Sequence, residues 1–236
     1  MKLPAALTTL QKKIIHCELC PRLVEWRTSI AREKTLRFRD QEYWGKPVPS
    51  LGDSHARVLI VGLAPAAHGG NRTGRIFTGD RSGDWLYRAL YRAGFANQPT
   101  SVSRNDGLAL NDCYITAVIH CAPPANKPTP GEIDNCRPYL LREIELLNDV
   151  MVVVALGRLA FDRAISAIGL EEKEPQGRRR ARPPFKHGAE VSLRGGVTMV
   201  ASFHPSQQNT FTGKLTEPMF DEVFSRARSI IDGRRA

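Results

Sequence analysis

Most of the residues able to do chemistry sit in one glycine-rich loop. The apolar run Val58-Leu59-Ile60-Val61 stops at Gly62, and the chain then passes through Leu63-Ala64-Pro65 into a polar stretch. That stretch carries Asn71, Arg72, Arg75, a lone aromatic at Phe77 and a lone carboxylate at Asp80. A carboxylate placed there orients a water or stabilises developing positive charge; Asp80 suits the cap of a following helix equally well. Phe77 offers a face to a planar ligand, or an anchor that packs the loop down. Its neighbours Gly74, Arg75, Thr78 and Gly79 do not look like core. Gly62 and Ala64 are small enough for a ligand to approach the backbone. His204-Pro205-Ser206 follows another apolar run, and an imidazole at a strand end is a candidate hydrogen-bond donor. A lone histidine is also an ordinary structural residue. The amide of Asn126 presents a donor and an acceptor to a planar edge, although Asn126-Lys127-Pro128 reads as a turn too. Asn71 is a second such amide.

These loops need rigid elements behind them. Continuous β-branched runs near residues 57–61, 114–119, 151–156 and 197–203 read as strands buried on both faces, as in a parallel sheet. Between them, helical spacing follows Asp80 to about Gly94, and Thr129-Pro130-Gly131-Glu132 is a capping-box start. A helix runs from Gly157 to Ile168 and a last one from near Pro218 to about Asp232. Residues 6–16 form a leading helix, and Glu190 to Leu193 a short β-like piece. The expectation is an α/β protein, a three-layer α/β/α sandwich with a central four-stranded, mostly parallel sheet and right-handed crossovers. Loops after the first, second and fourth strands then converge on one edge, where open α/β sheets place function.

With 236 residues, the chain suits one large domain, 1–236, with residues 1–45 as an N-terminal helical segment. The formal charge of +10, from 34 basic and 24 acidic residues, favours a polyanionic partner. Arg72, Arg75, Lys127, Ser206, Lys214 and the Arg178 to Arg182 run are the candidate phosphate contacts, which would make binding salt-dependent. Any basic run also reads as a solvated face. No apolar run reaches membrane length and the first residues lack a signal-peptide core, so a soluble cytoplasmic monomer is expected. Five cysteines in such a chain argue for metal binding or incidental burial over disulfides. Cys17, Cys20, Cys121 and Cys136 suit a four-thiolate zinc site or an iron-sulfur cluster, and spacing does not choose between them. Cys113 reads as a buried bystander.

The loop from Val58 to Asp80 closely resembles the first active-site motif of the family-5 uracil-DNA glycosylases, the iron-sulfur branch found in bacteria and archaea. The resemblance extends from Cys17 to about Leu215. Other glycosylase families carry an acid or amide just after the strand, where this chain has Leu63-Ala64-Pro65-Ala66. That absence is a family-5 feature, and the family's alternative acid corresponds to Asp80. The resemblance implies that Phe77 stacks on a flipped base and that His204 donates to the base O2. It also implies that the four cysteines hold a structural 4Fe-4S cluster tying the N-terminal cap to the sheet. Ala117 stands where family-4 relatives keep an asparagine that reads uracil, which implies a looser pocket open to hypoxanthine. The implied partner is DNA containing uracil or other deaminated bases, in a nucleoid-associated repair enzyme. Removing a base requires flipping it from the stack, and hydrolysis by water needs no lysine nucleophile. The loop from Gln207 to Leu215 is the natural place for a wedge that fills the vacated stack. A non-catalytic iron-sulfur DNA binder, or a metabolic enzyme on the same scaffold, are the competing readings.

Overall fold

The computed structural model describes residues 3–170 and 182–234. In chain order, the helices α1 (Ala5–Ile15) and α2 (Pro21–Glu33) precede a short edge strand β1 (Leu51–Gly52) and the buried strand β2 (Val58–Gly62). The loop after β2 contains a single helical turn, α3 (Gly70–Thr73), and leads into α4 (Arg81–Arg92). There follow β3 (Cys113–Ala117), α5 (Pro130–Leu146), β4 (Val152–Leu156) and α6 (Arg158–Ile168). The described chain ends with β5 (Glu190–Leu193), β6 (Val197–Ser202), α7 (Gln207–Phe211) and α8 (Glu217–Gly233).

The six strands form one mixed sheet in the order β1-β3-β2-β4-β6-β5. The four inner strands run parallel, with Val61 beside Thr116 and Ala155, and Val154 beside Val200. They are the four strands expected from sequence, and every residue of β2, β3 and β4 is buried. The four-stranded count is corrected by two antiparallel edges, β1 on β3 and β5 on β6. β1 has too few residues to show any periodicity. β5 alternates exposed and buried residues, as an edge strand with one wet face does.

Helices cover both faces. On one, Leu86, Leu90, Phe220, Phe224 and Ile231 of α4 and α8 pack on Ile60, Val154 and Val200. On the other, Leu7, Leu23, Ile133 and Phe161 of α1, α2, α5 and α6 pack on Leu59, Val61 and Val153. The predicted capping box is formed: Glu132 N donates to Thr129 Oγ1 at 3.3 Å, and Thr129 N donates to Glu132 Oε2 at 2.8 Å. No helix among the described residues is long and apolar enough to cross a membrane.

Candidate active site

Parallel strands that end together present their following loops at the carboxyl edge of the sheet. Here the loops after β2, β3 and β6 wall a cleft of about 600 Å³. Its lining includes Ala64, Phe77 and Asp80 from the first loop, Ala125 and Asn126 from the second, and His204, Ser206 and Gln208 from the third.

Phe77 packs directly over the end of β2. A Cβ on Gly62 would lie 2.7 Å from the ring atoms Cε2 and Cζ, so Gly62 is the floor beneath the ring rather than a wall of the cleft. The Phe77 and His204 rings lie 6.1 Å apart at 30°, in a stacked arrangement. Phe77 is 7% exposed, so it is at once core and cleft. Its φ of +51° is the left-handed region, costly for a bulky side chain. Ala125 and Asn126 share this conformation at +51° and +56°. Three of the five non-glycine residues with positive φ among those described thus line one cleft, the pattern expected where backbone strain is retained for function.

Asp80 caps a helix and lines the cleft. As the N-cap of α4, its Oδ1 accepts from Gly83 N at 3.0 Å. A Cβ on Gly69 would overlap Oδ2, so only glycine at 69 leaves room for the carboxylate. Burial pushes its carboxyl above the ordinary range, against the opposing pull of the Gly83 and Ser82 N–H groups. Burial lowers the His204 imidazole to about 4, so the ring is neutral near pH 7. A neutral ring still has one N–H to donate.

Other expected residues sit elsewhere. Arg75 is 5% exposed, and its guanidinium meets Asp106 at 2.6 and 2.9 Å, Ser101 Oγ at 2.6 Å and Thr78 Oγ1 at 3.0 Å. Arg72 donates to His68 O at 2.7 Å, Gln41 Oε1 at 2.6 Å and Gly79 O at 3.0 Å, and stacks 3.9 Å from the centre of the Phe38 ring. These two cations are not exposed phosphate contacts; they are internal braces of the loop that carries Asp80. Asn71 is likewise no part of the cleft: it is 1% exposed and its Nδ2 donates to Arg27 O at 3.2 Å. Ala117 lies in the core opposite Gly62, away from the cleft lining. Lys127 and Lys214 are exposed near the rim loops. Lys214 Nζ lies 4.8 Å from the centre of the Phe203 ring. Ser206 lines the cleft and caps α7, accepting from Asn209 N at 3.4 Å. Of the Arg178 to Arg182 run, only Arg182 is among the described residues, 3.8 Å from Asp162.

Sequence reasoning passed over Arg81 and Ser82 of the lining, while Gln207 and Gln208 belong to the loop read as a wedge. Arg81 and Ser82 directly follow Asp80, whose role as a helix cap was already read, and that adjacency was the available signal. It also missed the strap between α2 and β1, where Trp44 N donates to Arg72 O at 2.9 Å and Gly45 N to Asn71 O at 3.0 Å.

On the far side of the strap, Cys17, Cys20, Cys121 and Cys136 line one small cavity of about 20 Å³, with Ile14, Leu23 and Tyr139. No three or more His, Cys, Asp or Glu among the described residues are arranged to hold a single metal ion. The four cysteines share that cavity with His120 and Glu132, and four cysteine sulfurs are the donor set that an iron-sulfur cluster takes. Cys113 lies apart in the core, its Sγ 3.8 Å from Phe95 O.

Residues 49–228 match the model of the uracil DNA glycosylase superfamily. The chain belongs to that superfamily. It is 48% identical over 226 residues to the type-5 uracil-DNA glycosylase of Mycobacterium bovis, covering 95% of this chain and 82% of the relative. The type-5 enzyme of Mycobacterium leprae is 47% identical, covering 95% of this chain and 96% of the relative. That of Thermus thermophilus is 48% identical over 214 residues, covering 91% and 93%. Within the superfamily, the chain is therefore a member of the type-5 uracil-DNA glycosylases.

Proposed function

We propose that this protein is a monofunctional DNA glycosylase of base excision repair that hydrolyses the N-glycosidic bond of uracil in DNA. The observation that carries the reading is the cleft at the strand ends, which Asp80, Phe77 and His204 line together, with the Phe77 and His204 rings stacked 6.1 Å apart. Breaking the bond passes through an oxocarbenium-like state, with positive charge on the sugar and negative charge on the departing base. In the proposed complex, the flipped base lies against Phe77, and a neutral His204 N–H donates to its O2 as charge develops there. The carboxylate of Asp80 orients water and stabilises the sugar cation. Asn126 reads the base edge from the opposite wall. Donation to a base anion by a neutral imidazole is consistent with burial holding His204 at about 4.

The reading extends to other deaminated bases such as hypoxanthine. Its support is the small side chains of Ala64, Ala66 and Ala125 on the cleft wall, which leave room for a two-ring base. Phe211 is the proposed wedge: it is 66% exposed at the end of α7, with the guanidinium of the cleft residue Arg81 4.4 Å from its ring centre. An exposed aromatic of this kind suits insertion between base pairs. Lys127, Ser206 and Lys214 are proposed to hold phosphates beside the cleft. Cys17, Cys20, Cys121 and Cys136 are proposed to hold a 4Fe-4S cluster that, when bound, cross-links the cap to the segment after β3. The proposed setting is the cytoplasm, on nucleoid DNA, with the protein acting as a monomer.

The test is base release from a duplex with one central uracil opposite guanine, beside hypoxanthine and normal-base lanes, with alkali revealing abasic sites. Uracil release with no strand cut before alkali is expected. No release by anaerobically prepared protein on any lane would overturn the enzyme reading, and retained binding without release would favour a non-catalytic DNA binder.

A further inference from the structure

Arg27 of α2 is 4% exposed, yet no carboxylate among the described residues pairs with it. The other buried arginines are better satisfied: Arg75 meets Asp106, and Arg72, which also lacks an acid, has three acceptors in His68 O, Gln41 Oε1 and Gly79 O. Taking a guanidinium out of water without a counter-charge costs several kcal/mol, so an anion is expected beside it. Its Nη1 donates to Gly45 O, and its Nε has no partner at all. Leu23 and Val24, one turn before Arg27 on α2, line the four-cysteine cavity, as does Pro47, two residues beyond the Gly45 carbonyl that Arg27 holds. The negative charge within its reach is that of the four-cysteine cavity once the sulfurs are thiolates.

The same residue also touches the loop that carries Asp80. Its carbonyl accepts from Asn71 Nδ2 at 3.2 Å. Gly45, which receives its Nη1, donates its own N–H to Asn71 O at 3.0 Å. A Cβ on Gly45 would lie 2.9 Å from Ala31 Cβ, so the strap is pressed against α2 with no slack. The path from the edge of the four-cysteine cavity to the first cleft loop therefore runs through Arg27, Gly45 and the amide of Asn71.

We propose that Arg27 is the internal counter-ion of the four-cysteine site and the positioning residue that couples its occupancy to the loop carrying Asp80. The proposal rests on the cluster reading above. With four thiolates in place, the guanidinium is held between them and Gly45 O, and the strap holds Asn71. Without them, the buried cation has no compensating charge, and the strap and loop loosen together.

The test compares anaerobically prepared wild type, Arg27→Met, Arg27→Lys and Cys121→Ser. Three quantities are read: iron and sulfide per chain, the rate at which visible cluster absorbance is lost in air, and amide hydrogen exchange in peptides spanning residues 69–76. Arg27→Met is expected to lose absorbance at least tenfold faster than wild type and to exchange faster in that peptide. Arg27→Lys, which keeps the charge, is expected to recover most of the retention. Cys121→Ser is expected to raise exchange in the same peptide with Arg27 intact, so the coupling is tested even if Arg27→Met does not fold. Wild-type iron retention in Arg27→Met overturns the counter-ion role. Unchanged exchange in Cys121→Ser overturns the coupling. Wild type free of iron and sulfide overturns the cluster reading itself, a result distinct from either.

Discussion

Substituting Gly69 by alanine tests the placement of Asp80 without altering the carboxylate. The added Cβ would overlap Oδ2 and stand 2.9 Å from Cγ and 3.1 Å from Cβ of Asp80. Rotating the carboxylate about its own bond relieves the first overlap and leaves the second. The side chain must therefore swing away as a whole, which breaks the cap bond to Gly83 N. Loss of an N-cap costs about 1 kcal/mol, or about 2–4 °C in melting temperature for a chain of this length. Displacing a catalytic group by about 1 Å costs about 100-fold in rate, equivalent to about 2.7 kcal/mol of transition-state stabilisation. The expected result is a single-turnover uracil release rate about 100-fold below wild type, with DNA affinity retained and a small loss of melting temperature. Asp80→Asn separates the two roles, because asparagine caps a helix as well as aspartate does. It should melt like wild type while losing about 100-fold or more in rate. If Gly69→Ala releases uracil within twofold of wild type, or if Asp80→Asn is unimpaired, the assignment of Asp80 to the reaction is wrong.

The pH dependence of single-turnover release follows from the two shifted groups. Asp80 acts ionised and its carboxyl is raised by burial, so the rate should climb with pH through a value above the ordinary aspartate range and then level off. His204, lowered to about 4, acts neutral, so no decline is expected near about pH 6.5, where an ordinary imidazole loses its proton. A falling limb there would show an imidazolium acting as the acid. Asp106→Asn should destabilise the fold by about 3–5 kcal/mol by leaving the Arg75 guanidinium buried and unpaired, read as a loss in denaturant midpoint. Burial raises the Asp106 carboxyl, but Arg75 and the N–H groups of Val102, Leu108 and Ser103 outweigh it and hold it well below its usual range. The pair's stabilisation should therefore be complete above about pH 4 and fade as acid takes the pH down through that depressed value. Phe211→Ala should lower release from duplex about tenfold, on the order of one lost base-stacking contact, while release from single-stranded DNA stays unchanged. An equal loss on both substrates would place Phe211 outside the wedge role.

The four parallel strands were legible because strands buried on both faces must be apolar at every position, as β2 and β4 are. The helix starts at Asp80 and Thr129 were legible because capping is a local matter of two or three residues. Sequence also singled out Phe77, Asp80, Asn126 and His204, since isolated reactive types at strand ends stand out against a glycine-rich background. Their shared cleft depended on strand order, which only the sheet decides. The fate of Asn71, Arg72 and Arg75 was likewise tertiary. A polar side chain in a loop turns outward unless distant groups satisfy it within, and those groups came from elsewhere: Arg27 for Asn71, Gln41 and Phe38 for Arg72, Asp106 and Ser101 for Arg75. Local residue types determined which groups were available for chemistry, because reactivity belongs to the side chain. Which of them face the cleft and which brace its walls was decided by long-range partners, because burial of a charge is settled by what lies opposite it.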